Sequence, residues 1–151
     1  MSTSPASQHS EAVFSISTDR QQLDLDVIYR FLSEESAWAR GIDRRRVERS
    51  IEHSLCFGGY LGHQQIAFAR VISDFATFAN LVDVFVLPEF RGRGYSKQLM
   101  AAVFEHDDLQ QLRRFTLATS DAHGLYSQYG FTAPAKPQTL MERYDPLIYS
   151  R

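Results

Sequence analysis

The stretch VFVLPEFRGRGYSKQLMAAVF, Val84 to Phe104, decides how this chain folds. It carries an apolar run, a proline, two glycines set among arginines, and then apolar residues at helical spacing. Pro88 cannot donate to a ladder, so a strand ends before it. From Phe90 to Tyr95 the chain turns, with Gly92 and Gly94 allowing backbone geometries that a Cβ opposes. Leu99, Val103 and Phe104 then mark the buried side of a helix. A strand, a glycine loop and a helix in this order leave the first helical N–H groups unpaired and turned outward, which suits an anion. The helix dipole adds roughly 0.3–1 kcal/mol at an exposed site, and Arg91 and Arg93 add charge and forked donors. A pyrophosphate fits such a loop. The plainer alternative is a solvated turn before an ordinary surface helix.

Working outward, VFSIS (Val13 to Ser17) alternates like a strand, and Leu23, Val27 and Phe31 follow at helical spacing after a candidate N-cap at Asp19. DRRRVERSIEHS repeats the helical pattern around Val47 and Ile51, with its arginines facing water among Asp43, Glu48 and Glu52. LCFGGYLGHQQIAFARVIS reads as two strands joined near Gly62 to Gln65, and FANLVDVFVL as a third beside them. After the central helix come RRFTLAT as a strand, DAHGLYSQY as a short helix, and GFT and TLMERYD as terminal strand pieces. The order β, α, α, β, β, β, α, β, α, β, β predicts an α/β (α+β) fold, a mixed and mostly antiparallel central sheet flanked by helices. No internal repeat or low-complexity stretch interrupts it.

The 151 residues, 44% hydrophobic and 23% charged, suit one globular domain. Residues 1–10 are small and polar and read as a disordered tail, leaving 11–151 as the domain. A net charge of −2 provides no overall basic field, so neither nucleic acid nor a membrane surface is expected as a partner. Arg44, Arg45 and Arg46 have no interleaved stacking aromatics. The start of the chain lacks a basic segment and an apolar core, and no 18-residue apolar run occurs, so a cytoplasmic protein is expected. The single Cys56, set in strand-like sequence, reads as a buried thiol rather than a nucleophile. His53, His63, His106 and His123 lack ligand spacing, so no metal is expected.

Two familiar phosphate loops fail on inspection. No Gly-Lys-Ser/Thr triplet follows, and a dinucleotide loop needs a third glycine where Lys97 stands. The residues Arg91, Gly92, Arg93, Gly94, Tyr95 and Ser96 instead resemble motif A of the GCN5-related N-acetyltransferases, with Ser96 in place of the usual Gly or Ala. TSDAHGLYSQYGF resembles the same family's motif B through Ala122, Leu125, Tyr126, Gly130 and Phe131, with Thr119 where the family often has Asn. The two motifs stand in the family's order, and the expected elements fit its fold from about Val13 to Tyr144. The chain is thereby identified as similar to a small, bacterial-type, single-domain GNAT protein.

That resemblance implies acetyl-CoA as cosubstrate, its pyrophosphate on the amides of Arg91 to Ser96 and its pantetheine beside Val84, Phe85 and Val86, with Thr119 and Tyr126 on the far side. It implies a fourth and fifth strand that splay apart, leaving backbone groups for the pantetheine amides. It implies direct attack of a neutral amine on the thioester within a ternary complex. An alkylammonium has a pKa of about 10.4, so a base must first take a proton. Tyr126 is the implied acid at the leaving sulfur, with wall packing as its alternative and Tyr129 as second candidate. Asp83, a carboxylate inside an apolar strand, is a candidate base if it faces the acceptor cleft; pairing with an arginine or pointing to solvent are the alternatives. His123 is a further candidate base.

The acceptor side implied by the resemblance falls on SEESAWARG and SDFATFAN, where Trp38, Phe75 and Phe78 are candidate walls and Glu34, Glu35 and Asp74 candidate attractors of a cationic amine. The expected reaction is acetyl transfer to a primary amine of a small molecule, with protein N-termini or lysines as second acceptors. A catalytically silent CoA-binding sensor is the alternative from another class, and a homodimer is compatible with the sheet edges.

Overall fold

A computed structural model describes residues 12–150, so the expected tail lies outside the described residues. Strand β1 (Phe14–Ser17) leads into helix α1 (Leu25–Arg30), and α2 (Arg44–Glu52) follows. Then come β2 (Leu55–Leu61), β3 (Gln64–Ser73), β4 (Phe78–Val86), α3 (Tyr95–Glu105), β5 (Arg114–Leu117) and α4 (His123–Ser127). The five strands form one sheet in sequence order, antiparallel from β1 to β4 and parallel between β4 and β5. The mixed, mostly antiparallel sheet is the one expected.

Strand alternation separates two cores, one on each face. Phe57, Ile66, Ala67, Val86, Leu99, Met100 and Val103 pack under α3. Cys56, Phe68 and Phe85 face the other way, onto Ile28, Phe31, Leu32, Val47 and Ile51 of the first two helices. Phe31 stacks on Phe85 with ring centroids 4.0 Å apart. Cys56 is a buried free thiol, and loss of hydration pushes its pKa up to about 11.

Local chemistry explains two departures at the ends of the chain. Asp19 does cap, but it caps a 3-10 turn (Arg20–Gln22) by accepting from Gln21 N at 3.0 Å; Asp24, accepting from Val27 N at 3.2 Å, starts α1. The two expected terminal strands do not form. Beyond Ser127 the described residues contain only 3-10 turns at Pro137–Thr139 and Ile148–Ser150. In TLMERYD the apolar Leu140 and Met141 and the charged Glu142 and Arg143 come in adjacent pairs, so neither face is apolar; Pro134, Pro137 and Pro146 around it lack ladder donors, and none of the five strands pairs with it. Phe131 nonetheless packs inward, its ring 5.2 Å from Phe104 and 5.5 Å from Phe115.

Candidate active site

Strand β4 stops at Val86, and Pro88 opens a 3-10 turn (Pro88–Phe90) whose missing N–H costs nothing at that position. Gly92 and Gly94 then take φ of 79° and 83°, the left-handed region where other residues pay strain. Space is not the reason for glycine here, since a Cβ at either position would meet nothing within 4 Å. Gly94 is the N-cap of α3 and brings no side chain to satisfy its amides. The first helical N–H to find an acceptor is Gln98, on Gly94 O at 3.3 Å. Among the described residues, the six amides from Gly92 to Lys97 therefore have no partner in the chain. A run of free donors at the N-terminus of an 11-residue helix is an anion site by geometry and dipole together.

The strand leading to this loop is held on one side only. β5 pairs with β4 from Phe78 to Leu81 and no further, so Val82 to Val86 have no ladder partner on that side. An extended ligand can use those groups. On the other side the β3 register slips by one residue between Phe68 and Arg70, and Asp83 bulges with a φ of 57°. A bulge re-aims a side chain, and here it turns a carboxylate inward, 8% exposed.

Each carboxylate oxygen of Asp83 accepts one hydrogen bond there. Oδ1 accepts from Trp38 Nε1 at 2.8 Å, and Oδ2 accepts from Arg70 Nε at 3.0 Å. Arg70 Nη1 continues the chain of contacts to Ser54 Oγ at 3.0 Å. Trp38 in turn lines a cavity of about 650 Å³ that runs to Gly92, Gly94 and Ser96, with Phe31, Glu35, Val84 to Val86 and Asp121 also in its wall. A single π-helical turn (Phe31–Glu35) presents Glu35 there, and the following Ser36 is pinned by its hydroxyl donating to Leu32 O at 2.6 Å. Such turns recur at functional sites.

The cavity thus brings together Val84, Phe85, Val86, Arg91, Gly92, Gly94, Tyr95, Ser96, Trp38 and Glu35 from the sequence-based candidates. It does not gather all of them. The Arg93 guanidinium lies 5.6 Å over the Phe90 ring rather than in the wall, and Arg91 Nε donates to Val86 O at 2.8 Å. Thr119 is occupied in accepting from Ala122 N at 3.1 Å. Tyr126 packs in the core against Phe131 and is absent from the wall; burial, with Asp121 adding to it, raises its pKa, so it keeps its proton. Tyr129 turns towards Phe104, and His123 is exposed. Phe75 and Phe78 lie on the surface, and Asp74 closes a local turn, its carboxyl held well below the usual range chiefly by the Thr77 hydroxyl.

Sequence reasoning missed Arg70 and Ser36. Arg70 was findable, because a cation between Ala69 and Val71 in one apolar strand and an anion between Val82 and Val84 in the next each demand a partner. Ser36 left no signal. Among the described residues, no His, Cys, Asp and Glu cluster could hold a metal ion, and no helix is long and apolar enough to cross a membrane.

A family model described as an acetyltransferase (GNAT) domain matches residues 52–133. The structure of a Xanthomonas campestris pv. campestris protein assigned to the GNAT acetyltransferases is 62% identical, covers 92% of this chain and 98% of its own, and superposes with a TM-score of 0.90. A Gibberella zeae protein assigned as an acetyltransferase is 28% identical over 133 residues, 75% of each chain. At 15% identity, a Clostridium acetobutylicum structure described as an acetyltransferase with acetyl-CoA covers 87% of this chain and 95% of its own at a TM-score of 0.60, a likeness of fold.

Proposed function

The chain belongs to the GNAT acetyltransferases, and from that premise we propose that it moves the acetyl group of acetyl-CoA to a primary amine of a small molecule, by direct attack within a ternary complex. The observation that carries the reading is the run of free amides from Gly92 to Lys97 at the end of a half-paired strand. In this reading the pyrophosphate sits on those amides, and the pantetheine amides pair with the open edge of Val84 to Val86.

The reaction requires little of the protein beyond positioning and two proton movements. The amine nitrogen bonds the acetyl carbon, the carbon–sulfur bond breaks, the nitrogen loses a proton and the sulfur gains one. Tyr126 is our proton donor to sulfur. Its support is protonation: burial keeps the hydroxyl neutral through the working pH range, and no residue of the described chain accepts its hydrogen bond. Asp83 is the acceptor-side carboxylate. Its two oxygens each already accept one hydrogen bond, which supports a positioning part, fixing the Trp38 indole and Arg70. Proton loss from the amine then passes to water, or to Asp83 through its remaining lone pairs.

We extend the reading to one domain over residues 11–151 working in the cytoplasm, and to a homodimer. The dimer is supported by Leu140 (52% exposed), Met141 (97%) and Tyr144 (72%), apolar side chains on an unpaired segment. Light scattering should give twice the 17.3 kDa chain mass.

Calorimetric titration with acetyl-CoA, paired with a thiol-release screen over amines and peptides, tests the central reading. Saturable binding with turnover on small amines is expected. Absence of acetyl-CoA binding, or turnover on peptides alone, would overturn it.

A further inference from the structure

Resting on that reading, a second cavity says what kind of amine is acetylated. It measures about 510 Å³ and is lined by Arg46, Arg49 and Ser50 of α2, its C-cap His53, Arg70 of β3, and Tyr149. Among the described residues, no carboxylate lines it. The composition follows from how α2 sorts its charges. Arg46, Arg49, Ser50 and His53 fall within one stripe of the helix, Val47 and Ile51 face the core, and Glu48 and Glu52 lie on the side away from the cavity. Arg44 pairs with Asp26 and Arg46 with Asp43, while Arg49 and His53 have no ion-pair partner among the described residues.

The two cavities share no lining residue, and the contacts already described lie between them. Arg70 lines the basic one, Trp38 lines the one that runs to the glycine loop, and Asp83 binds both side chains. Arg70 spends Nε on Asp83 and Nη1 on Ser54, so its outer nitrogen retains donors. Guanidinium groups take carboxylate or phosphate through paired hydrogen bonds, and charge assistance makes these the stronger class. Glu35, in the wall of the first cavity, supplies the opposite charge for an ammonium. We propose that the acceptor is an amine that also carries an acid group, carboxylate or phosphate, and that Arg49 with Arg46 and Arg70 binds that group.

Matched amines decide it. Under saturating acetyl-CoA, kcat/KM is compared for glycine against glycinamide and for O-phosphoethanolamine against ethanolamine, in wild type, Arg49→Glu and Arg49→Lys. At least one acidic member should exceed its neutral partner by about tenfold or more, through KM rather than kcat, as one lost charge-assisted pair implies. The preference should vanish in Arg49→Glu and survive in Arg49→Lys. Which pair responds tells carboxylate from phosphate. Preference for the neutral members, or an acid preference that Arg49→Glu leaves intact, overturns the proposal. Calorimetric titration of O-phosphoethanolamine and glycine into wild type and Arg49→Glu reads the cavity without turnover, and heat from neither in the wild type overturns it as well. Acetyl-CoA titration of the same samples separates the outcomes: acetyl-CoA binding with no acid preference defeats only this inference, whereas no acetyl-CoA binding defeats the reading beneath it.

Discussion

The bulge at Asp83, within β4, and the glycine loop at Gly92 to Gly94, beyond its end, are built in different ways. The loop is made of backbone: two left-handed glycines and a helix start expose six amides, and hardly any side chain takes part. The bulge is made of side chains drawn from four places: Trp38 after α1, Ser54 before β2, Arg70 on β3 and Asp83 on β4. Backbone sites are specified by neighbours in sequence. Side-chain sites of this kind exist only once the sheet has paired. The two should therefore fail differently when damaged.

The largest effect is expected at the bulge. Asp83→Ala leaves the Arg70 guanidinium buried without its anion, which costs about 3–5 kcal/mol, or a fall in Tm of about 10 °C for a chain of this size. Thermal unfolding reads this directly. Adding Arg70→Met should recover much of the loss, and a double variant no more stable than Asp83→Ala would show that the pair is not the reason. Next comes the loop. Gly94→Val forces a β-branched residue to a φ of 83° at an exposed position. Acetyl-CoA affinity should fall about a hundredfold, as losing two charge-assisted hydrogen bonds implies, while Tm falls by only about 2–8 °C, as about 1–2 kcal/mol of backbone strain implies. A large drop in Tm with intact affinity would erase the contrast.

Smaller again is Tyr126→Phe, which should lower kcat by about tenfold to a hundredfold with acetyl-CoA affinity within about twofold, measured by steady-state kinetics and titration. An unchanged kcat would reduce Tyr126 to a packing aromatic. The mildest effect lies in β2, where Cys56 stands opposite Arg70. Burial pushes Cys56 up to about 11 and Tyr60 up to about 12. A group whose folded pKa is raised contributes stability that is complete below its unfolded value, for Cys56 near 9, and is lost as pH rises through about 11. Urea midpoints should stay flat from neutral pH to about 9, then fall with a slope of at most about 1.4 kcal/mol per pH unit for the thiol, and Cys56→Ala should flatten the first part of that fall.

What could be read in advance follows the same division. Pro88, Gly92 and Gly94 fixed the strand end, the loop and the helix start, because proline and glycine act on their own residues. Strands were read from their residue pattern and the β2–β3–β4 neighbours from their short connections; pattern alone reports a face but not a partner. TLMERYD reads as a strand piece in sequence, finds no partner, and is not one. Asp83 stood out as a carboxylate in an apolar strand, but its contacts with Trp38, 45 positions away, and Arg70, 13 away, depend on register and on the bulge. The basic stripe of α2 was visible as arginines. Its separation from Glu48 and Glu52 was not, since that requires knowing which side of the helix meets the sheet.

The central claim is that backbone amides, not side chains, hold the cosubstrate, and amide resonances report on it directly. In a ¹H–¹⁵N correlation experiment with CoA added stepwise, the resonances of Gly92 to Lys97 should move furthest, their protons downfield as they gain phosphate oxygens, with the side-chain signals of Arg91 and Arg93 shifting less. Saturable CoA binding that leaves those six amides in place would contradict the account.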